Sequence, residues 1–211
     1  MRSIIVTTGI ISMLTIGCTG LALFTNSDID VISTGGYNRN CYITTPFMPS
    51  DDLVVHMRFT VPKFENNDVA LFGTKWTRNY FCALQVFDGG KGFLKWHAKN
   101  AHFSFPITSG TELDAHFASD YIMVNGIKHQ MTGRANYEED SWIRFFATVE
   151  DCDRVRSAYA DVRLIEILRG GTPVFRATPR LHEGELGFYD SIGQKFYPSE
   201  GKDAFSKPPL S

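Results

Sequence analysis

The stretch "GELGFYDSIGQKFYPSEGKDAF", residues 184–205, sets two aromatic-rich runs on either side of a polar turn. A second glycine-containing turn follows immediately. "LGFYD" and "KFYP" read as short antiparallel strands joined by "SIGQ". Their aromatics then lie across from one another, where cross-strand aromatic pairs contribute about 0.2–1 kcal/mol each. Gly187 lets the backbone pass close to a neighbouring strand, and Gly201 permits a tight reversal before Phe205 returns to the core. Asp190, at the strand end, caps the turn through its carboxylate. A stretch of this kind closes a β-fold.

Upstream the text keeps the same rhythm. "LVVHMRFTV" (53–61) puts Leu53, Val55, Met57, Phe59 and Val61 on one face, with His56, Arg58 and Thr60 on the other. This is the period-2 pattern of a half-buried strand. "DVALFGT" (68–74), "YFCALQVF" (80–87) and "GFLKWHA" (92–98) follow, separated by polar, glycine-rich turns. "YIMVNGIKHQ" (121–130) holds Asn125-Gly126 between two apolar runs, a strong hairpin indicator. "SWIRFFATV" (141–149) alternates Trp142, Arg144, Phe146 and Thr148 against Ile143, Phe145, Ala147 and Val149. "YADVRLIEILRGGTPVFRATP" (159–179) predicts a long strand, a Gly170-Gly171 turn and a return strand. Short gaps between strands exclude the long crossovers that parallel sheets need. The expectation is an all-β, two-sheet antiparallel sandwich or a barrel.

The chain has 211 residues and a formal charge of −2, with 17 Phe and 18 Gly. It is long enough to bury a core without staples. Its scattered Lys and Arg leave no electrostatic footprint for nucleic acid. The first residues stand apart: Arg2 is followed by an uncharged run from Ser3 to Phe24, which reads as a signal peptide or a signal anchor. "TIGC" (15–18) resembles a bacterial lipoprotein box that would lipidate Cys18, with Thr15 where Leu is usual. Alternatively, residues 1–27 attach the chain to a membrane or dock it within an assembly. Three cysteines remain in the folded part, Cys41, Cys82 and Cys152. Cys82 shares a face with Leu84 and Val86 and reads as a buried inert thiol. A Cys41–Cys152 bridge in an oxidising compartment is open but not deducible.

The order of these landmarks resembles the concanavalin A-like lectin/glucanase superfamily, specifically the laminin-G-like jelly rolls of secreted bacterial and phage proteins. "IDVISTGGYNRNCYITTPFMPSDDLVVHMRF" (29–59) looks like the family's first hairpin and alternating strand. "NDVALFGT" (67–74), "YIMVNGIKH" (121–129), "WIRFFAT" (142–148) and "ADVRLIEIL" (160–168) look like its later core strands. "PVFRATPRLHEGELGFYDSIGQKFYPSEGKDAF" (173–205) follows its terminal order and is the most specific match. The resemblance implies a jelly-roll sandwich over residues 28–206, preceded by the apolar segment 1–27 and followed by a tail at 207–211.

Within that family an enzyme must be weighed. Glycosidic hydrolysis needs two carboxylates across the bond. Laminarinase-like members carry them as Glu-x-Asp-x-x-Glu. "TELDAHF" (111–117) supplies Glu112 and Asp114, but Phe117 stands at the third position. The adjacent acids Glu138 to Asp140 have the wrong spacing. No nucleophile elbow, phosphate loop or His-Glu-x-x-His is present, and the six histidines are dispersed. The expectation is therefore no catalysis. Carbohydrate binding is expected instead, through aromatics that stack on sugar C–H faces and polar groups that bond hydroxyls. Trp76, Arg78 and Tyr80 share a face at i, i+2, i+4, and Trp96 and His97 adjoin them. The opposing reading makes Trp76 and Trp96 packing residues. No cofactor is required. Calcium binds at the rim of many such domains, and here Asp68 and Asp88 are its candidates. Expected partners are a glycan, or proteins of a virion or cell-surface assembly, in an exported or surface-displayed setting.

Overall fold

The computed structural model describes residues 26–34, 40–64, 69–74, 80–87, 91–98, 101–133, 142–147 and 159–208. Among them every regular element is a strand: β1 (Ser27–Asp28), β2 (Ile32–Ser33), β3 (Ile43–Thr44), β4 (Leu53–Thr60), β5 (Val69–Gly73), β6 (Tyr80–Phe87), β7 (Lys91–Ala98) and β8 (Ala101–Ile107). They continue with β9 (Glu112–Phe117), β10 (Tyr121–Val124), β11 (Ile127–Gln130), β12 (Arg144–Phe145), β13 (Asp161–Arg169), β14 (Thr172–His182), β15 (Glu185–Asp190) and β16 (Lys195–Pro198). The larger sheet runs β11-β10-β9-β4-β13-β14-β15-β16, with β1 on β14 and β2 on β13. The smaller runs β3-β12-β5-β6-β7-β8. All pairings are antiparallel.

The two sheets share one interior, the arrangement of a β-sandwich. In β4 the alternation holds residue by residue: Leu53, Val55, Met57 and Phe59 are buried, and the residues between them face outward. Aromatic rings join the sheets. Phe72 of β5 meets Phe117 of β9 at 5.0 Å between centroids, and Phe145 of β12 lies parallel to Phe175 of β14 at 6.5 Å. The Asn125-Gly126 turn has φ of 49° and 80°, the paired left-handed conformation a two-residue hairpin demands.

The closing hairpin forms as its sequence predicts. Phe188 pairs Tyr197, and Tyr189 pairs Phe196. Asp190 caps the turn: its carboxylate accepts from the amides of Ile192 and Gly193 at 3.0 Å and from that of Arg176 on β14. A Cβ at Gly187 would stand 2.5 Å from the Tyr197 carbonyl, so close approach is the reason for that glycine. At Gly201, where the chain bends, a Cβ would fall 1.7 Å from the Asn40 carbonyl oxygen, so close approach requires glycine there as well. Phe205 does enter the core, edge-on to Phe146 and Phe188.

Two further expectations are corrected. The opening stretch does not form a hairpin: β2 pairs β13 in the larger sheet, while β3 pairs β12 in the smaller. The alternation around β12 also breaks, because Ile143, Phe145, Phe146 and Ala147 are all buried. Phe146 takes φ of 68°, which turns its ring inward onto Phe188 and Phe205. Cys82 is fully buried, and burial pushes its thiol well up. Cys41 is buried too, its Sγ donating to the Thr34 carbonyl at 2.7 Å. Cys152, and the apolar segment as far as residue 25, lie outside the described residues.

Candidate functional site

The outward face of the larger sheet carries a continuous set of charged and imidazole side chains. It arises from two strands with polar residues at every second position. His56, Arg58 and Thr60 do this on β4, and Glu112, Asp114 and His116 on β9, while their neighbours fill the core. Antiparallel register then sets these residues opposite one another. Met123, His116, His56, Glu166 and Arg176 form one row across β10, β9, β4, β13 and β14. Asp114 and Arg58 pair in the next row.

The row is linked by hydrogen bonds. Glu166 is buried, its side chain only 8% exposed, and its Oε1 accepts from both Nε and Nη2 of Arg176 at 2.7 Å. Its Oε2 lies 3.1 Å from Nδ1 of His56. The other nitrogen of that ring, Nε2, lies 3.1 Å from Oδ1 of Asp114. The same oxygen stands 3.4 Å from Nε2 of His116. The two imidazoles stack, with centroids 3.9 Å apart and planes within 5°. Arg58 donates to Glu112 at 2.7 Å, and Arg163 holds the second Glu112 oxygen at 2.9 Å. The Asp114 strand position is fixed by Asn125, whose Oδ1 accepts from the Asp114 amide at 2.9 Å.

These contacts set the charge states. Burial pushes the Glu166 carboxyl up, but hydrogen bonds from His56 and Arg176 outweigh it and hold it below the usual range. The Arg58 hydrogen bond holds Glu112 low as well. Burial and the neighbouring His56 charge lower His116, against the pull of Asp114 and Glu166. His56, Asp114 and His116 each present a ligand atom within 4.8 Å of the other two, a set of the type that can hold a metal ion.

The expected aromatic site divides. Trp76 and Arg78 lie outside the described residues, as do Asp68 and Asp88. Tyr80 opens β6 opposite Ala98 on β7. Trp96 is fully buried against Phe72 and Phe117, and its Nε1 donates to the Ala118 carbonyl at 3.0 Å. It belongs to the core and offers no ring to a sugar, which corrects its expected role. Adjacent strand residues face opposite sides, so Trp96 and His97 cannot line one surface. His97 points outward beside His102, with ring centroids 6.2 Å apart. Burial, then the charges of His102 and Lys95, lowers its pKa. Of the hydrolase-like triplet, Asp114 faces outward with half-exposed Glu112, and Phe117 is buried in the core.

Four of the six histidines that look scattered in the sequence are therefore brought together in pairs, His56 with His116 and His97 with His102. Only the alternation of polar residues in "HMRFT" and "ELDAHF" hints at the first pair, and it does not reveal which residues face each other. No family model matches the chain, and no curated protein matches it.

Proposed function

We propose that the chain is a non-catalytic recognition domain of the concanavalin A-like, laminin-G-like jelly-roll type, exported or displayed at a surface. Its ligand is carbohydrate, bound on the outward face of the larger sheet. The observation that carries the reading is the cross-strand row of paired polar side chains on that open face. Their heads are accessible: Arg58 is 46% exposed, Asp114 44% and Arg176 51%. Sugar hydroxyls both donate and accept, and ionised side chains bond them about twice as strongly as neutral ones. Mutual ion pairs already hold the heads in position, so little ordering cost falls on binding.

The same pairing argues against hydrolysis. A glycosidase acid must keep its proton near neutral pH, whereas Glu112 and Glu166 are both held ionised. Export is supported by the uncharged run from Ser3 to Phe24.

The test is a glycan array followed by calorimetric titration of the full chain. Arg58→Ala and Glu112→Gln are expected each to weaken the best oligosaccharide by at least about tenfold, or about 1.4 kcal/mol. Unaltered affinity in both variants would remove the face from the reading. Absence of any glycan ligand would remove carbohydrate.

A further inference from the structure

We infer that His56, Asp114 and His116 form a binding site for a divalent transition-metal ion of the Zn2+ type, with Glu166 as the carboxylate that orients His56. Glu166, whose Oε1 is held by two Arg176 nitrogens at 2.7 Å, presents Oε2 to His56 Nδ1 at 3.1 Å, so the hydrogen bond between them runs from Nδ1–H to the carboxylate. The other ring nitrogen of His56, Nε2, points at Asp114 Oδ1 at 3.1 Å. His116 brings a second ligand nitrogen, Nε2, to the same oxygen at 3.4 Å. A positive centre, a proton or a metal ion, would hold all three atoms together.

Spacing and support both favour an ion. Ligand atoms on a tetrahedral Zn2+ with bonds of about 2.0–2.1 Å stand about 3.3–3.4 Å apart. The 3.1 Å from His56 Nε2 to Asp114 Oδ1 lies near that value, and His116 Nε2 stands 3.4 Å from the same oxygen before its ring turns. Two imidazoles and one carboxylate suit zinc and its neighbours rather than calcium or magnesium. A ligating histidine characteristically donates its other N–H to a carboxylate. Glu166 does this for His56 and is itself held by two Arg176 nitrogens at 2.7 Å. The parallel stack of the two rings would have to open, because lone pairs in parallel planes do not converge. His116 is the more exposed of the two rings, 22% against 12%, and is the one that would turn. Around the site the carboxylates of Glu112, Asp114 and Glu166 balance the guanidinium groups of Arg58, Arg163 and Arg176. An added dication therefore favours water, hydroxide or an anionic ligand group in its open position.

This inference does not depend on glycan binding, and its test contains no sugar. The full chain, free of any histidine tag, is titrated with Co2+ and followed by the visible ligand-field band, with Zn2+ as competitor. The expected result is one ion per chain, displaced by Zn2+. His116→Gln and Asp114→Asn each weaken uptake by at least about tenfold, and Glu166→Gln by about 10–100-fold without touching the ion. Circular dichroism checks that each variant is folded. His116 and Asp114 lie on the open face, so those two variants keep the test valid if Glu166→Gln unfolds. No uptake by the folded chain, or equal uptake by wild type and His116→Gln, would overturn the site and leave a proton as the central charge.

Discussion

The two sides of β9 show how differently one strand is used. Leu113, Ala115 and Phe117 face the interior, where Phe117 meets Phe72 and Trp96. Glu112, Asp114 and His116 face outward into a network of imidazoles and guanidinium groups. The interior is held by volume and apolar area, which are non-directional and large per residue. The outward network is held by directed pairs that contribute little to stability because water and salt screen them. The core keeps the sandwich folded, and the network fixes the orientation of its own side chains on the outward face.

Substitutions on the two sides should therefore differ sharply. Trp96→Ala removes a fully buried ring and its hydrogen bond to Ala118, and is expected to cost about 3–5 kcal/mol in denaturant unfolding. Asp190→Ala is intermediate. It leaves the amides of Arg176, Ile192 and Gly193 without their acceptor, at about 1–3 kcal/mol. Arg163→Ala removes an ion pair in which both partners are near 40% exposed, and should cost about 0–1 kcal/mol, less at high salt. If Arg163→Ala destabilised the fold as much as Trp96→Ala, the distinction between the two sides would collapse.

The smallest effect is one of pH. Asp161 has a buried Oδ1 without a partner, and burial raises its carboxyl above the ordinary 3.8 despite Ser33 and Arg163. The folded chain then holds that proton more tightly than the unfolded one, so stability falls as pH rises from 3.8 through the raised value. Asp161→Asn should match or exceed the wild-type Tm at neutral pH, and its advantage should shrink on acidification toward pH 3.8. An advantage that grew on acidification would reverse the assigned direction.

Much of the fold was legible because strand alternation and turn chemistry are local. "LVVHMRFTV" declares its buried face unaided, and Asn125-Gly126 declares its turn. The opening was misread as a hairpin because nothing local says that β2 and β3 join different sheets. Phe146 broke its alternation for a similar reason: two distant rings, Phe188 and Phe205, reward an inward turn that its neighbours do not specify. The site was barely legible. Trp96 looks the same in sequence whether it covers a core or greets a sugar, and burial alone separates the two.

By itself the amino-acid sequence determined an antiparallel β protein with a distinct apolar N-terminal run, since period-2 patterning, turn residues and hydropathy are properties of neighbours. Tertiary structure alone decided that His56 faces His116, that Glu166 stands behind them and that Trp96 is inside. Those facts depend on the register between strands far apart in the chain. Shifting a strand by one residue would turn all its side chains to the other face, and the burial of Leu53, Val55, Met57 and Phe59 holds that register in place.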